Sequence, residues 1–173
     1  MATGPSDERR SVAIVDVGLG NHASVANMVK RAGGSPRVVR NPSEMGTETK
    51  VILPGVGSFD RGMGGLIQGE WTHYLPEFAQ DSQILGICLG MQLLGVESRE
   101  GNMPGLGLIP MSFSRFDDES VRVPHMGWNE IIVVRNDPLV GDTGSDQRFY
   151  FAHSYKAYCD AEYVVATAIH GAS

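Results

Sequence analysis

The chain has 173 residues, enough to bury a sizeable core as one domain. Hydrophobic residues make up 42% and charged residues 20%, an ordinary balance for a soluble globular protein, and no apolar run approaches the length that spans a bilayer. With 14 basic and 20 acidic residues the net charge is −6, which argues against nucleic-acid binding as the main role.

Met1 to Arg10 is polar and lacks the apolar core of a secretory signal. Arg9-Arg10 hints at a twin-arginine export signal, but no apolar, cleavable region follows the pair. This stretch reads as a frayed tail, and the folded domain is expected over 11–173. Without an export signal the expected location is cytoplasmic, and the two cysteines are not expected to form a structural disulfide. Cys88 is then free to act as a thiol.

Val12-Ala-Ile-Val-Asp-Val17 is an apolar run ending in Gly18-Leu-Gly20-Asn21, which predicts a buried strand and a tight turn. Asn21 is a candidate N-cap for a helix carrying Val25, Met28, Val29 and Ala32 at helical spacing, stopped by Gly33-Gly34. Val38-Val39 predicts a second strand, and Lys50 to Leu53 a third, closed by Pro54-Gly55. The glycine-rich stretch from Asp60 reads as weakly helical. Trp71 to Gln80 reads as a better helix, with Pro76 placed to break or kink it. Gln83 to Ile87 predicts a fourth strand, running into Cys88 and an apolar helix over Leu89 to Leu94.

Strands alternating with helices predict right-handed βαβ units. The expected fold class is therefore α/β, with an open, largely parallel sheet and flanking helices. Beyond it, strands are predicted at Leu106–Ile109, Trp128–Val134, Arg148–His153 and Tyr163–Ala168, giving a mixed or antiparallel second half. No internal repeat or linker marks a second domain.

Gly18-Leu-Gly20-Asn-His-Ala23 fits a dinucleotide-binding fingerprint. Such a site also wants an acidic residue at the end of the second strand, where Arg40-Asn41 stands instead. A tight turn is the better reading. Gly86-Ile87-Cys88-Leu89-Gly90 is a stronger signal, the cysteine form of a nucleophile elbow between strand and helix. The helix amino end at Leu89 favours thiolate over thiol, and the Leu89 amide would face a developing oxyanion. A lone Cys is commonly a buried structural residue, but the flanking glycines weigh against that here. Pro54-Gly55-Val56-Gly57-Ser58 ends the adjacent strand at the carboxyl edge, where open α/β sheets bind ligands.

Pro54 to Phe59 resembles the oxyanion strand of class I glutamine amidotransferases, and Gly86 to Leu94 resembles their nucleophile segment. Pro124-His125-Met126-Gly127-Trp128-Asn129-Glu130 and Phe151-Ala-His-Ser-Tyr155 narrow the resemblance to the glutaminase subunits of imidazole glycerol phosphate synthase. It covers nearly the whole chain after Arg10 and implies a flavodoxin-like fold that hydrolyses L-glutamine through a cysteine thioester. Cys88 would be the nucleophile, and the amides of Val56 and Leu89 the oxyanion hole. Gly55, Gly57, Gln92, Ser154 and Tyr155 would hold the glutamine. Ammonia would pass to a synthase partner, a (β/α)8 barrel, with His125, Met126 and Trp128 near the interface. No metal or cofactor is expected.

The family's base is a histidine in a His-Pro-Glu segment near the carboxyl end. None of His22, His73, His125, His153 and His170 has a glutamate two places on, so no base is assigned. The resemblance leaves two readings of the chain: an incomplete glutaminase with little or no activity, or a non-catalytic partner-binding relative. The strained cysteine turn favours the first. The acceptor also stays open, because Ser58 to Met63 and Glu100 to Leu106 resemble relatives that supply ammonia for sugar amination in surface polysaccharides.

Overall fold

The β-branched run Ser11-Val-Ala-Ile-Val15 forms strand β1 (Ser11–Val15), and its last three residues are fully buried, as expected for a strand covered on both faces. The computed structural model describes residues 10–117, 119–140 and 148–171; all of the tail expected at Met1 to Arg10 except Arg10 lies outside them. Beside β1 run β2 (Ser35–Val39), β3 (Lys50–Gly55) and β4 (Gln83–Cys88), all parallel, in the order β2-β1-β3-β4. The predicted parallel sheet is present.

Among the described residues four α-helices accompany it: α1 (His22–Arg31), α2 (Phe59–Gln68), α3 (Trp71–Phe78) and α4 (Leu89–Leu94). Asn21 caps α1 as predicted, its side chain accepting the Ser24 amide at 3.0 Å. Leu53, Phe59, Leu66, Trp71, Leu75, Leu89 and Leu93 form the fully buried centre of the core. Pro76 does not break α3; the helix runs two residues past it and ends at Phe78 rather than Gln80. Among the described residues no helix is long and apolar enough to cross a membrane.

The glycine-rich α2 is a full helix, not a weak one. A Cβ on Gly62 would stand 2.9 Å from Leu93 Cδ2, and one on Gly65 would stand 2.5 Å from the Val17 carbonyl oxygen. Each glycine costs the helix about 1 kcal/mol in propensity. In return α2 lies close against α4 and the turn after β1, where Phe59, Met63 and Leu66 are buried.

The second half is built of small sheets. β6 (Ser112–Arg115) pairs antiparallel with β10 (Tyr155–Tyr158) and parallel with β5 (Glu97–Ser98). β7 (His125–Glu130) pairs antiparallel with β9 (Arg148–His153), and β8 (Ile132–Val133) with β11 (Ala166–Thr167). The strand expected at Trp128–Val134 thus starts three residues early and is split, and the one at Tyr163–Ala168 shrinks to two residues behind a 3-10 turn over Ala161–Tyr163. Leu106–Ile109 is not a strand. Its amides turn back onto α4, Leu106 donating to Leu93 O and Leu108 to Leu94 O, both at 2.9 Å.

One ion pair fastens the edge of the parallel sheet. Arg37 on β2 donates to both carboxylate oxygens of buried Glu48, at 2.7 and 3.0 Å, and also to the Glu44 carbonyl. The bond from Arg37, aided by the Gly46 amide, holds the Glu48 carboxyl down to about 2. An unfolded glutamate titrates near 4.3, so this stability is present above that value and lost as pH falls through the folded one. Glu48→Gln should cost about 1–3 kcal/mol at pH 7 and almost nothing near pH 2. Urea midpoints of both proteins across that range would show a constant gap if Glu48 did not titrate as described.

Candidate active site

Cys88 closes β4 and precedes the first residue of α4, with φ 55° and ψ −113°. Among the described residues Glu70 is the one other non-glycine at positive φ, so backbone strain falls on the cysteine that the elbow motif singles out. The turn depends on its two glycines. A Cβ on Gly86 would lie 2.6 Å from Met91 Cα, and one on Gly90 would lie 1.7 Å from the Leu53 carbonyl oxygen. α4 therefore starts hard against β3 and β4, leaving Cys88 exposed and Leu89 buried.

The β3–β4 register pairs Pro54 with Ile87 and Gly55 with Cys88. Gly55 has no room for a side chain, since its Cβ would come 3.0 Å from Leu89 Cβ and 3.2 Å from the Gly90 amide. Val56 follows, exposed, and then Gly57 at φ 117°, a conformation that favours glycine. Gly55, Val56, Gly57, Cys88 and Leu89 thus share one carboxyl edge of the sheet.

Gln92 stands one helical turn after Cys88, its Oε1 accepting from the buried Ser98 hydroxyl at 3.1 Å. Asp60 at the start of α2 pins the loop behind it, accepting the amides of Asn102 at 2.9 Å and Met103 at 3.0 Å. Burial raises the neighbouring Glu100 carboxyl above the usual range. Ser98 and Asp60 are supports that sequence reading missed, because each acts across a loop. Ser154 and Tyr155 form the corner between β9 and β10, where the Ser154 carbonyl accepts the Phe116 amide at 2.9 Å. Among the described residues no hydrogen bond joins that corner to the elbow.

The interface-type block divides by strand alternation. Met126 and Trp128 are 63% and 64% exposed, and Trp128 meets Tyr150 edge-on across the ladder at 5.7 Å. Tyr150 belongs to this outward face, although the sequence block omitted it. His125 points the other way and is buried. Among the described residues no side chain hydrogen-bonds the Cys88 sulfur, and no three His, Cys, Asp or Glu side chains form a metal-ligating group. Gly18 and Gly20, at φ 74° and 123°, make the tight turn that was the preferred reading of the glycine fingerprint.

The class I glutamine amidotransferase family model matches residues 13–170. The chain is 41% identical to imidazole glycerol phosphate synthase subunit HisH 2 of Pseudomonas aeruginosa, over 83% of this chain and 73% of that one. It is 40% identical to subunit HisH of Bdellovibrio bacteriovorus, over 92% and 82%. In fold it is similar to the PurLQS structure from Thermotoga maritima, with TM-score 0.68 and 18% identity over 93% of this chain and 75% of that one. It also spans 64% of a glutamine amidotransferase crystal structure, with TM-score 0.59, 18% identity and 70% of this chain covered. A strained cysteine elbow beside a glycine-bordered strand end, inside a family match over nearly the whole chain, makes this protein a member of the class I glutamine amidotransferases.

Proposed function

We propose that the chain is a glutaminase subunit of an imidazole glycerol phosphate synthase, acting in the cytoplasm. The observation that carries this reading is the register of Gly55 with Cys88, which sets the thiol beside the Val56-Gly57 loop. The Cys88 sulfur attacks the glutamine carboxamide carbon, and the oxyanion points toward the Val56 and Leu89 amides. Collapse of the tetrahedral adduct breaks the C–N bond, and the proton given up by the thiol goes to the departing nitrogen, which leaves as ammonia; water then cleaves the thioester to glutamate and returns a proton to the sulfur. Gly55, Gly57, Gln92, Ser154 and Tyr155 hold the amino-acid end. Ammonia passes to a cyclase subunit of the (β/α)8 type. The names of the curated relatives favour this acceptor over sugar amination.

Brief treatment with iodoacetamide or a glutamine-analogue electrophile should modify Cys88, exposed at the amino end of an α-helix, and spare the half-buried Cys159. Peptide mapping that found Cys159 labelled first would overturn the site. The exposed Met126, Trp128 and Tyr150 face is the proposed synthase contact, rich in the residue types that anchor interfaces. Trp128→Ala should weaken synthase binding by about 1–3 kcal/mol, and an unchanged Kd by calorimetry would remove Trp128 from the contact.

A further inference from the structure

Three histidines from separate segments meet on the inner face of the β7–β9 hairpin. The His125 ring stacks on His170 at 4.1 Å and on Phe151 at 4.6 Å between centroids, and Phe116 packs against all three imidazoles. The hydrogen bonds around them run in one direction only. His153 Nδ1 lies 2.7 Å from the Tyr155 carbonyl oxygen, which can only accept, so Nδ1 carries the proton. In the neutral ring Nε2 is then bare, and it stands 3.1 Å from His125 Nδ1, which must donate. That leaves His125 Nε2 bare, facing the Asn129 amide nitrogen at 3.3 Å. Asn129 is itself fixed in direction: Nδ2 donates to the Ile169 carbonyl at 2.6 Å, and Oδ1 accepts the Glu130 amide at 2.9 Å. His170 Nε2 donates to the Arg122 carbonyl at 2.6 Å.

The relay therefore has no free lone pair on His125 or His153. A proton added to His153 Nε2 sets donor against donor unless His125 shifts its own proton to Nε2, where it meets the Asn129 NH2. Asn129 cannot turn without losing its bonds to both Glu130 and Ile169. The surroundings offer no charge to compensate. From β9 come Phe151 and His153, from β7 Asn129, from the 169–171 segment His170, and from the 115–117 segment Phe116, with the Lys156 ammonium 6.0 Å from its ring. Among the described residues no carboxylate pairs with these rings.

We propose that the neutral His125–His153 pair is a positioning relay that ties the Ser154–Tyr155 corner and the 169–171 segment to the hairpin, and that taking up a proton releases them. Burial already holds the His125 imidazole below its ordinary range. The folded protein thus binds fewer protons at this site than the unfolded chain. The stability is present above about pH 6.5 and is lost as pH falls below it. Met126, Trp128 and Tyr150 alternate with the relay residues on the same two strands, so acid should also loosen the outward face; this last consequence rests on the docking reading above.

The test is ring-nitrogen NMR on the whole chain, with amide exchange recorded alongside. At about pH 7.5, both rings should show their proton on Nδ1, as their hydrogen bonds require. Between about pH 7 and 5, exchange at 125–129 and 149–153, corrected for its intrinsic pH dependence, should rise at least about tenfold as the His125 imidazolium signal appears. His125→Asn keeps a donor toward His153 but cannot titrate, and its hairpin exchange should stay flat over that range. An Nε2–H tautomer on either ring of the wild-type protein would overturn the proposal, as would titration of His125 with no change in exchange. These readouts need no partner. Synthase affinity measured over the same pH range tests the docking consequence separately, with a fall of about fivefold or more expected in the wild type and none in His125→Asn.

Discussion

Gly90→Ala should unfold the domain or cost it more than about 3 kcal/mol, the upper end of what overpacking costs. The added methyl would lie 1.7 Å from the Leu53 carbonyl oxygen and 2.6 Å from its carbon. Both are backbone atoms of the central strand, so no side chain can swing aside, and relief requires moving α4 away from β3. That movement would also pull the Leu89 amide out of line with Cys88. Gly64→Ala is the control, a glycine inside a different core-flanking helix, α2, whose Cβ would meet nothing within 4 Å. It should be neutral or stabilising by about 0.4–1 kcal/mol. Urea unfolding of the two variants gives the comparison, and a Gly90→Ala midpoint close to wild type would mean that α4 is not wedged against β3 in solution.

What could be read from the sequence was what depends on near neighbours in the chain. The elbow is five consecutive residues, and its strain, glycine spacing and following helix are all local. The parallel sheet was legible because each strand is an apolar run bounded by turn residues. α2 was misread because propensity counts Gly62 and Gly65 as losses, while the close approach of Leu93 and Val17 that they permit is a tertiary fact. Leu106–Ile109 was misread for the opposite reason. Its apolar residues pack on the core, yet its amides cap the carbonyls at the end of α4 instead of entering a ladder. The short strands β5, β6 and β10 carry too few residues to show alternation.

The site was legible in the same uneven way. Cys88, Leu89 and the Gly55–Gly57 loop come together through strand order alone. The Gln92–Ser98 support spans a turn that no motif records. His125 shares a sequence block with Met126 and Trp128, and a β-ladder alternates its faces. The pairing of His125 with His153 turns both inward, 28 residues apart in the chain.

Residues 1–173 with saturating synthase should release glutamate about 10²–10⁴-fold more slowly than a version extended through a His-Pro-Glu segment, the usual worth of a positioned proton-transfer group. The physical reason lies at the sulfur. Among the described residues no imidazole hydrogen-bonds Cys88, and the added segment is expected to supply the group that takes the thiol proton and returns one to the departing ammonia. His125 and His153 cannot serve without breaking the relay, because each ring nitrogen already has a partner. The synthase must be present in both arms, since a subunit awaiting its partner could be slow for a different reason. Equal rates would place a base within residues 1–173. His125→Asn would then separate the cases: lost turnover would make His125 that base and dissolve the relay, whereas retained turnover would turn the search to His22 and His73.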